Sequence, residues 1–336
     1  MIDEEVGGVS LVPAPLRDDR AAGAVLASAA GDALGAGYEF GPPLDHEAPV
    51  AMIGGGAFGW APGEWTDDTQ MATAILLPLA ACDDDPLPAV EAGFRTWFAS
   101  DPPDVGNQTR HVLSSGGSLA AAAAAFCVER PHAAGNGSLM RTGPIALAHP
   151  GDPGAIAALA RAVSSLTHAH DDCVDACVLW SVAIDHAIHH APPSGRAYDW
   201  LAGIRAGLDH LPPERRERWT ALVEEAYASD PRRFERNGWV VHAFQAALAT
   251  ISSTRPDVGG DRSTHLERAL ETAVRCGGDT DTVAAIAGSL LGARWGAAAV
   301  PHRWRRLLHG RTPDGSILDA VALDHLARLA YRHTFA

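Results

Sequence analysis

Two short segments of the 336-residue chain combine acidic and hydroxyl side chains at the start of apolar stretches. One acid at such a place is typical of a helix N-terminus, where a carboxylate gains about 0.3–1 kcal/mol from the helix dipole. Each segment holds two acids, however, and carboxylates about 4 Å apart repel by roughly 4 kcal/mol at an effective dielectric constant of 20. Because this repulsion exceeds the capping gain, we expect cations between the segments if the fold brings them together. The candidate metal ligands are therefore the acids and hydroxyls of these two segments, EWTDDT (64–69) and GGDTDT (277–282).

The donor atoms of these two segments select the kind of metal. Carboxylate and hydroxyl oxygens are hard ligands, and neither segment contains His or Cys. Such a set favours Mg²⁺ or Mn²⁺, with Ca²⁺ as a further occupant, over zinc or copper. At least four carboxylates could hold two ions, and a paired site can clamp substrate oxygens and activate water.

Two further segments could complete a ligand pocket. Glu39 follows a helix that ends in glycines, within the stretch GDALGAGYEF. The stretch GNGSLMR, from Gly135 to Arg141, is a glycine-rich loop of the kind whose backbone N–H groups can hold a phosphate. A plain turn is the alternative interpretation of that loop.

Several patterns resemble known sites but lack a necessary partner. Residues 54–59 match GxGxxG but are followed by Trp-Ala-Pro-Gly and not by a helix, which favours a tight loop over a dinucleotide site. Cys173 and Cys177 have helical spacing, as do His186 and His190, yet neither pair has the further ligands of a zinc site. No GxSxG occurs, so a nucleophile-elbow hydrolase has no support.

Charge and cysteine content limit the binding partners and the cellular location that the sequence allows. The chain has 41 acidic and 26 basic residues, a net charge of −15, which argues against general binding to nucleic-acid backbones but not against one phosphorylated ligand. Five cysteines without a CxxC pair indicate reduced thiols. The acidic N-terminus is unlike a signal peptide, and the longest apolar run, Leu119 to Val128, is far shorter than the roughly 20 residues of a membrane span. We expect a cytoplasmic protein that does not enter membranes, and the oligomeric state stays open.

Helical periodicity dominates the rest of the chain, and no alternating run of strand length is present. Ala-rich stretches are separated by Gly and Pro. We therefore predict an all-α protein with a tail at residues 1–15 and a single helical domain at residues 16–336. The predicted helices are 20–34, 71–81, 89–98, 156–164, 174–188, 219–228, 240–251, 266–274, 282–295 and 317–331.

In this order, the motifs resemble the ADP-ribosylglycohydrolase family, which includes the dinitrogenase reductase-activating glycohydrolases. The resemblance covers about residues 20–300 and implies an orthogonal helical bundle with a binuclear Mg²⁺ or Mn²⁺ centre. The metal ligands that it implies are Thr66, Asp67, Asp68, Asp279, Asp281 and Thr282. It implies a catalytic or gating role for Glu39, and contacts to ADP-ribose from Gly135, Asn136, Gly137 and His168. The stretches that carry it are GDALGAGYEF (31–40), GGGAFGWAPGEWTDDTQMA (54–72), GNGSLMR (135–141), LTHAHDD (166–172) and GGDTDTVAAIAGSLLGARWG (277–296).

The implied function is a metal-dependent ADP-ribosyl hydrolase. It would release ADP-ribose from a modified protein, nucleic-acid base or small molecule by attack of water on the anomeric carbon of the distal ribose. The alternative is a catalytically silent, metal-bearing relative that binds ADP-ribose or a related nucleotide, although the presence of Glu39 argues against it. Ala133 and Ala134 stand where some relatives carry Ser and an aromatic residue, so we expect adenosine recognition to differ. Pro42 and Pro43 give the loop after Phe40 a stiffness of its own.

Overall fold

The structure is a computed structural model that describes residues 10–83, 85–192, 197–256 and 262–333. It is 62% helical, which confirms the all-α class. The helices are α1 (Ala14–Gly35), α2 (Asp67–Ala80), α3 (Leu87–Ala99), α4 (Asn107–Leu113), α5 (Leu119–Glu129), α6 (Pro153–Ser165), α7 (Asp171–His189), α8 (Ala202–Leu208), α9 (Pro213–Ala228), α10 (Val240–Ser253), α11 (Arg262–Arg275), α12 (Thr280–Trp295), α13 (His302–Arg305) and α14 (Ala320–His333).

Helices α1 and α12 lie at the centre and pack antiparallel with their backbones almost touching. A Cβ added at Gly31 would lie 2.3 Å from the carbonyl oxygen of Ala284, and one added at Gly35 would lie 2.4 Å from the Cα of Asp281. Only glycine allows an approach this close. As a result the end of α1, which leads to Glu39, lies against the start of α12, which carries two of the predicted metal ligands.

Two small antiparallel sheets accompany the helices in the described residues. Strand β1 (Ser10–Leu11) pairs with β2 (His190–Ala191), and β3 (His309–Arg311) pairs with β4 (Ile317–Asp319). The second hairpin packs on the loop before α2, since the N–H of Trp65 donates to the carbonyl of His309 at 3.0 Å. This hairpin therefore supports the segment that carries the first acidic motif.

The strands correct two expectations. The segment predicted as a tail ends earlier than expected, because residues 10–11 are paired in a sheet and α1 begins at Ala14; residues 1–9 lie outside the described residues. The last predicted helix, 317–331, begins three residues late, because Ile317–Asp319 pair with β3. Strands of two or three residues are too short to show an alternating pattern, so periodicity alone does not reveal them.

Four helices were not predicted, namely α4, α5, α8 and α13. Three of them have seven residues or fewer, which is too short for a helical period to be read. Helix α5 coincides with the longest apolar run of the sequence, which has no helical period to indicate a helix. No helix among the described residues combines the length and the apolar character needed to cross a membrane.

Candidate active site

The N-termini of α2 and α12 meet, although their residues are far apart in the sequence. Thr66 caps α2, and its hydroxyl oxygen accepts from the N–H of Asp68 at 3.4 Å. From α12, the hydroxyl of Thr282 donates to Oδ2 of Asp68 at 3.2 Å. The two acidic motifs are thus in direct contact. The sequence had related them only through the repulsion expected between their carboxylates. The other predicted ligands lie around this contact: Asp67, Asp279 and Asp281.

Asp32, in the last turn of α1, anchors the start of α2. Its fully buried carboxylate accepts from the N–H of Thr66 at 2.9 Å and from the N–H of Thr69 at 3.0 Å. It also accepts from the Thr69 hydroxyl at 2.6 Å. Burial raises the pKa of Asp32 to about 6. Sequence reasoning missed this residue because it lies within a predicted helix, although GDALGAGYEF contains it.

The acids at this junction repel one another. One carboxylate oxygen from each of Glu39, Asp279 and Asp281 lies within 4.8 Å of the others. Burial raises the pKa of Asp68 and Asp281 well above the ordinary value, and neighbouring carboxylates raise it further. Burial, followed by the charge of Asp279, raises the pKa of Glu39 to about 9. The structure therefore groups Glu39 with the acids of α12, whereas the sequence had placed it outside both motifs.

Two buried atoms in this group have no hydrogen-bond partner among the residues that the structure describes. They are Oδ1 of Asp68 and Oε2 of Glu39. A buried charged oxygen without a partner is costly, and the cost is normally removed by a cation. The donor set is entirely oxygen and strongly anionic, so the residues present fit hard divalent ions such as Mg²⁺ or Mn²⁺.

Asn136 and Asn237 hold Asp279 in place from the opposite wall. Nδ2 of Asn136 donates to Oδ2 of Asp279 at 2.7 Å and to the carbonyl of Asn237 at 2.9 Å. Oδ1 of Asn237 accepts from the N–H of Asp279 at 3.0 Å. Gly278 has a φ of +70°, and a Cβ there would lie 2.5 Å from Oδ1 of Asn237, so the second Gly of GGDTDT is required. No sequence motif marked Asn237.

A cavity of about 400 Å³ opens beside the acids. Gly135, Asn136, Gly137 and His168 line it together with Glu39. The loop that begins at Gly135 leads into the 3₁₀ helix Gly143–Leu147. A Cβ at Gly137 would lie 3.0 Å from Cε1 and 3.1 Å from Nε2 of His168, so the glycine lets the loop lie on the ring. All four residues predicted to contact a ligand thus surround one cavity.

A buried chain of hydrogen bonds sets the proton on His168. Nη2 of Arg141, which is fully buried, donates to Oγ1 of Thr167 at 2.6 Å. That oxygen lies 2.8 Å from Nδ1 of His168. Because Arg can only donate, we assign the Thr167 hydrogen to Nδ1, which leaves the His168 proton on Nε2. Burial, followed by the charge of Arg141, lowers the pKa of His168 to about 3, so the ring is neutral.

The two ends of the cavity differ in charge. At the acidic end Asp104, which no motif marked, adds a further carboxylate, and burial followed by the charge of Asp279 raises its pKa to about 6. At the other end Arg130 places its guanidinium 5.2 Å from the centre of the Phe126 ring. A ligand that fits this cavity therefore offers cation-binding oxygens at one end and an anionic or aromatic group at the other.

Comparison with known proteins identifies the family. The family model ADP-ribosylglycohydrolase matches residues 13–334. The chain belongs to the ADP-ribosylglycohydrolase family. The resemblance drawn from the five motifs is confirmed, and so is the enzyme class at the level of the family.

Several members of the ADP-ribosylglycohydrolase family are similar over most of their length. An ADP-ribosylarginine hydrolase Tri1 of Pseudomonas putida (strain GB-1) is 30% identical over 85% of this chain and 73% of its own. The ADP-ribosyl-[dinitrogen reductase] glycohydrolase of Rhodospirillum rubrum is 30% identical over 86% and 90%. A solved structure titled ADP-ribosylglycohydrolase-related protein complex superposes with a TM-score of 0.73 at 30% identity, covering 95% of this chain and 99% of that one.

The patterns set aside earlier have structural roles in this family member. The thiols of Cys173 and Cys177 donate to the carbonyl of Gly135 at 3.3 Å and to Oγ of Ser138 at 3.4 Å, so they support the glycine-rich loop. The rings of His186 and His190 stack with their centres 4.2 Å apart. Residues 54–59 form a loop in which four glycines have positive φ. Among the described residues, no Cys or His joins a group of three with the spacing of metal ligands.

Proposed function

We propose that this chain is a metal-dependent ADP-ribosyl hydrolase that releases ADP-ribose from an ADP-ribosylated arginine side chain of a protein. One observation carries the proposal: buried carboxylates whose strongest charged neighbours are other carboxylates converge in the same cavity as a glycine-rich loop. The acids can bind the metal ions, and the backbone N–H groups of the loop can bind a diphosphate. ADP-ribose contains both a ribose diol and a diphosphate.

Six residues would hold the metal pair, and Glu39 lies within reach of the acids from α12. When bound, two divalent ions supply positive charge that neutralises the cluster and polarises substrate oxygens. Asp32, Asn136 and Asn237 hold the mutually repelling acids in fixed positions by hydrogen bonds: Asp32 fixes the start of α2, and the two Asn side chains fix Asp279. The six ligands are Thr66, Asp67, Asp68, Asp279, Asp281 and Thr282.

The cavity orients the substrate by its two ends. The distal ribose belongs at the acidic end, and the diphosphate belongs along Gly135 to Gly137. There His168 presents its Nε2–H as a neutral donor to an anionic or ribose oxygen. Arg130 and Phe126 offer a charge and a ring face to the remaining nucleotide. This arrangement accommodates Ala133 and Ala134, since the aromatic contact then comes from α5.

In the reaction, the oxygen of water forms a bond to the anomeric carbon while the bond from that carbon to the arginine nitrogen breaks. A carboxylate at the acidic end takes the proton of the water, and Glu39 is our candidate because its Oε2 is buried and lacks a partner among the described residues. The pKa of about 9 belongs to Glu39 beside other acids alone, and bound divalent ions would lower it so that the side chain is ionised. The proton of the water then reaches the departing guanidine, which leaves as a guanidinium. Carboxylates nearby stabilise the oxocarbenium character of the transition state.

Arginine is favoured as the leaving residue by the relatives. The proteins from P. putida and Serratia proteamaculans are named ADP-ribosylarginine hydrolases, at 30% and 25% identity. An acidic cavity also suits a guanidinium product. The ADP-ribosylhydrolase ARH3 of Bos taurus is 25% identical, so serine-linked and other conjugates belong in the test.

The test is a panel of ADP-ribosylated arginine, serine, nucleoside and small-molecule conjugates, incubated with Mg²⁺ or Mn²⁺ and assayed for free ADP-ribose. We expect release from the arginine conjugates and a loss of release with a chelator. Release only from another conjugate would change the leaving group. Tight binding of ADP-ribose without release from any conjugate would support the silent relative instead.

A further inference from the structure

A second cavity, of about 390 Å³, adjoins the catalytic one. The two share walls in two places. Pro103 lines the second cavity, and the next residue, Asp104, lines the first. Phe40 lines the first cavity, and its ring lies edge-on to that of Phe58 in the second, with centres 6.4 Å apart. The two cavities therefore adjoin at Phe40 and at residues 103–104.

The walls of the second cavity suit a peptide with a basic residue. Phe58 and Trp60 supply ring faces, and their centres lie 6.2 Å apart. Glu64 and Asp101 contribute two carboxylates, against one cation from Arg311. The balance is anionic, and aromatic faces beside carboxylates hold Lys and Arg side chains through cation–π contact and ion pairing. The polar and apolar lining together favours a peptide over a purely apolar ligand.

The wall between the cavities is held in a costly conformation. Phe40 has a φ of +60°, a left-handed value that non-glycine residues seldom adopt, whereas the φ of +53° at Asp101 is the ordinary left-handed ending of α3. The Phe40 side chain is nevertheless 65% exposed, so burial of its own ring does not repay the strain. Strained residues that shape a cavity wall are typical of functional sites.

The orientation of the substrate in the catalytic cavity indicates which part of it occupies the second cavity. In the proposed function the nucleotide extends from the metal cluster along Gly135 to Gly137. The bond to the modified residue then points to the other side, which Glu39, Phe40 and Asp104 form. Resting on that function, we propose that the second cavity binds the peptide segment flanking an ADP-ribosylated arginine and prefers a basic residue in that segment.

The experiment compares two substrates in each variant. One is an ADP-ribosylated arginine peptide with flanking lysines, and the other is ADP-ribosylated free arginine, which has no flank. The principal variant is Asp101→Asn, because Asn tolerates left-handed φ as well as Asp does and only the charge is lost. A second variant, Phe58→Ala, removes a ring face. The matched control is Asp209→Asn, whose side chain is 76% exposed beyond α8.

We expect Asp101→Asn to raise the KM for the lysine-flanked peptide by about fivefold, the value of one exposed ion pair. Its kcat/KM for free ADP-ribosylarginine should stay within about twofold of wild type, which also shows that the variant folds. Phe58→Ala should show the same selectivity, and Asp209→Asn should affect neither substrate. An alanine-flanked peptide should lose the sensitivity to Asp101→Asn.

Two results would overturn the subsite. One is an equal loss on both substrates in both variants, which would make the wall a support for the catalytic cavity. The other is no loss on the peptide, or a wild-type preference for glutamate flanks. Failure of the proposed function looks different: wild type would release no ADP-ribose from either substrate, and the subsite would fall with it.

Discussion

Two groups of buried acids in this fold differ in the charges beside them. The group on α7 is neutralised by Arg side chains, and the group at the start of α2 and α12 lies mainly beside other acids. On α7, Asp172 and Asp175 face the cations of α9. Nε of Arg215 donates to Asp175 at 2.6 Å, and Nη2 of Arg218 donates to Asp172 at 2.9 Å. Nε1 of Trp219 donates to Asp175 at 3.1 Å. At the meeting of α2 and α12, the largest charges acting on the buried acids are those of other acids.

The pKa values of Asp172 and Asp68 differ in direction, although burial still raises the pKa of Asp175 beside Arg215. Burial alone would raise the pKa of Asp172, but hydrogen bonds from Arg215 and Arg218 bring it below the ordinary value. Burial raises the pKa of Asp68 well above the ordinary value, and Asp32 and Asp67 raise it further. Where the chain supplies its own cations, the acids hold helices together. Where the strongest charges beside the acids are those of other acids, we propose that a cation from outside completes the site.

The largest expected effect follows from removing one acid of the second group. Asp281→Asn should abolish hydrolysis. It should also weaken binding of Mg²⁺ and Mn²⁺ by more than the roughly 10–100-fold that loss of an outer-shell partner costs. The fold should persist, and relief of repulsion should keep or raise the melting temperature of the metal-free protein. Titration calorimetry, ADP-ribose release and melting curves with and without metal measure the three effects.

Asp172→Asn is the matched control for Asp281→Asn, because it removes a buried acid from the neutralised group. It should lower stability and leave metal affinity unchanged. In wild type, metal at about 100 times its Kd should add about 2.7 kcal/mol to the free energy of unfolding. Absence of that stabilisation at saturating metal would remove the contrast between the two groups, and with it the metal-dependent function.

Glu39→Gln separates a proton-transferring acid from one that only holds charge. We expect turnover to fall by roughly 10²-fold or more while ADP-ribose still binds. Calorimetry with ADP-ribose and with each metal accompanies the assay. An unchanged metal affinity would place Glu39 on the substrate, and a reduced one would place it among the metal ligands. Wild-type turnover would leave it a structural or gating residue.

The neutralised group is tested by removing a cation. Arg215→Gln leaves Asp172 and Asp175 short of positive charge, which should lower the free energy of unfolding by about 3 kcal/mol. Metal affinity should not change. Arg205→Gln is the control, since its pair with Asp199 is more than half exposed and should contribute less than about 1 kcal/mol. Urea denaturation compares the two, and equal losses would contradict the role given to burial.

Arg141 is the reverse case, a buried cation that contacts a hydroxyl and the Phe94 ring. Thr167→Val removes that hydroxyl and should raise KM by about tenfold, or 1.4 kcal/mol, with little change in kcat. Nitrogen NMR should find the wild-type His168 proton on Nε2, with no titration between about pH 5 and 8. The variant should mix tautomers. Thr250→Val, at a buried hydroxyl without a partner, is the control. A proton on Nδ1 in wild type would contradict the assignment.

Much of the site was readable from residue types and spacing. Capping explains one acid at a helix start but not two. The second acid at each of two helix starts therefore indicated the pair of segments that the fold brings together. The sequence did not predict Asp32, Asn237 and Asp104 as residues of the candidate site, because each is a single polar residue whose partners lie far away along the chain. Nothing local distinguishes such a residue from an ordinary surface one. Short helices and two-residue strands escaped for a related reason, since tertiary contacts and not periodicity stabilise them.

The sequence by itself determined the all-α class and the family, and it predicted a set of oxygen ligands, because helical periodicity and clustered charge are local properties. Only the tertiary structure decided how those ligands are arranged. The contact of α1 with α12 at Gly31 and Gly35 brings Glu39 to the acids of α12, and Asp32 ties α2 to the same place. The tautomer of His168 likewise depends on Arg141, a cation buried far from it in sequence. Distances between remote residues come from packing, and packing is a property of the whole chain.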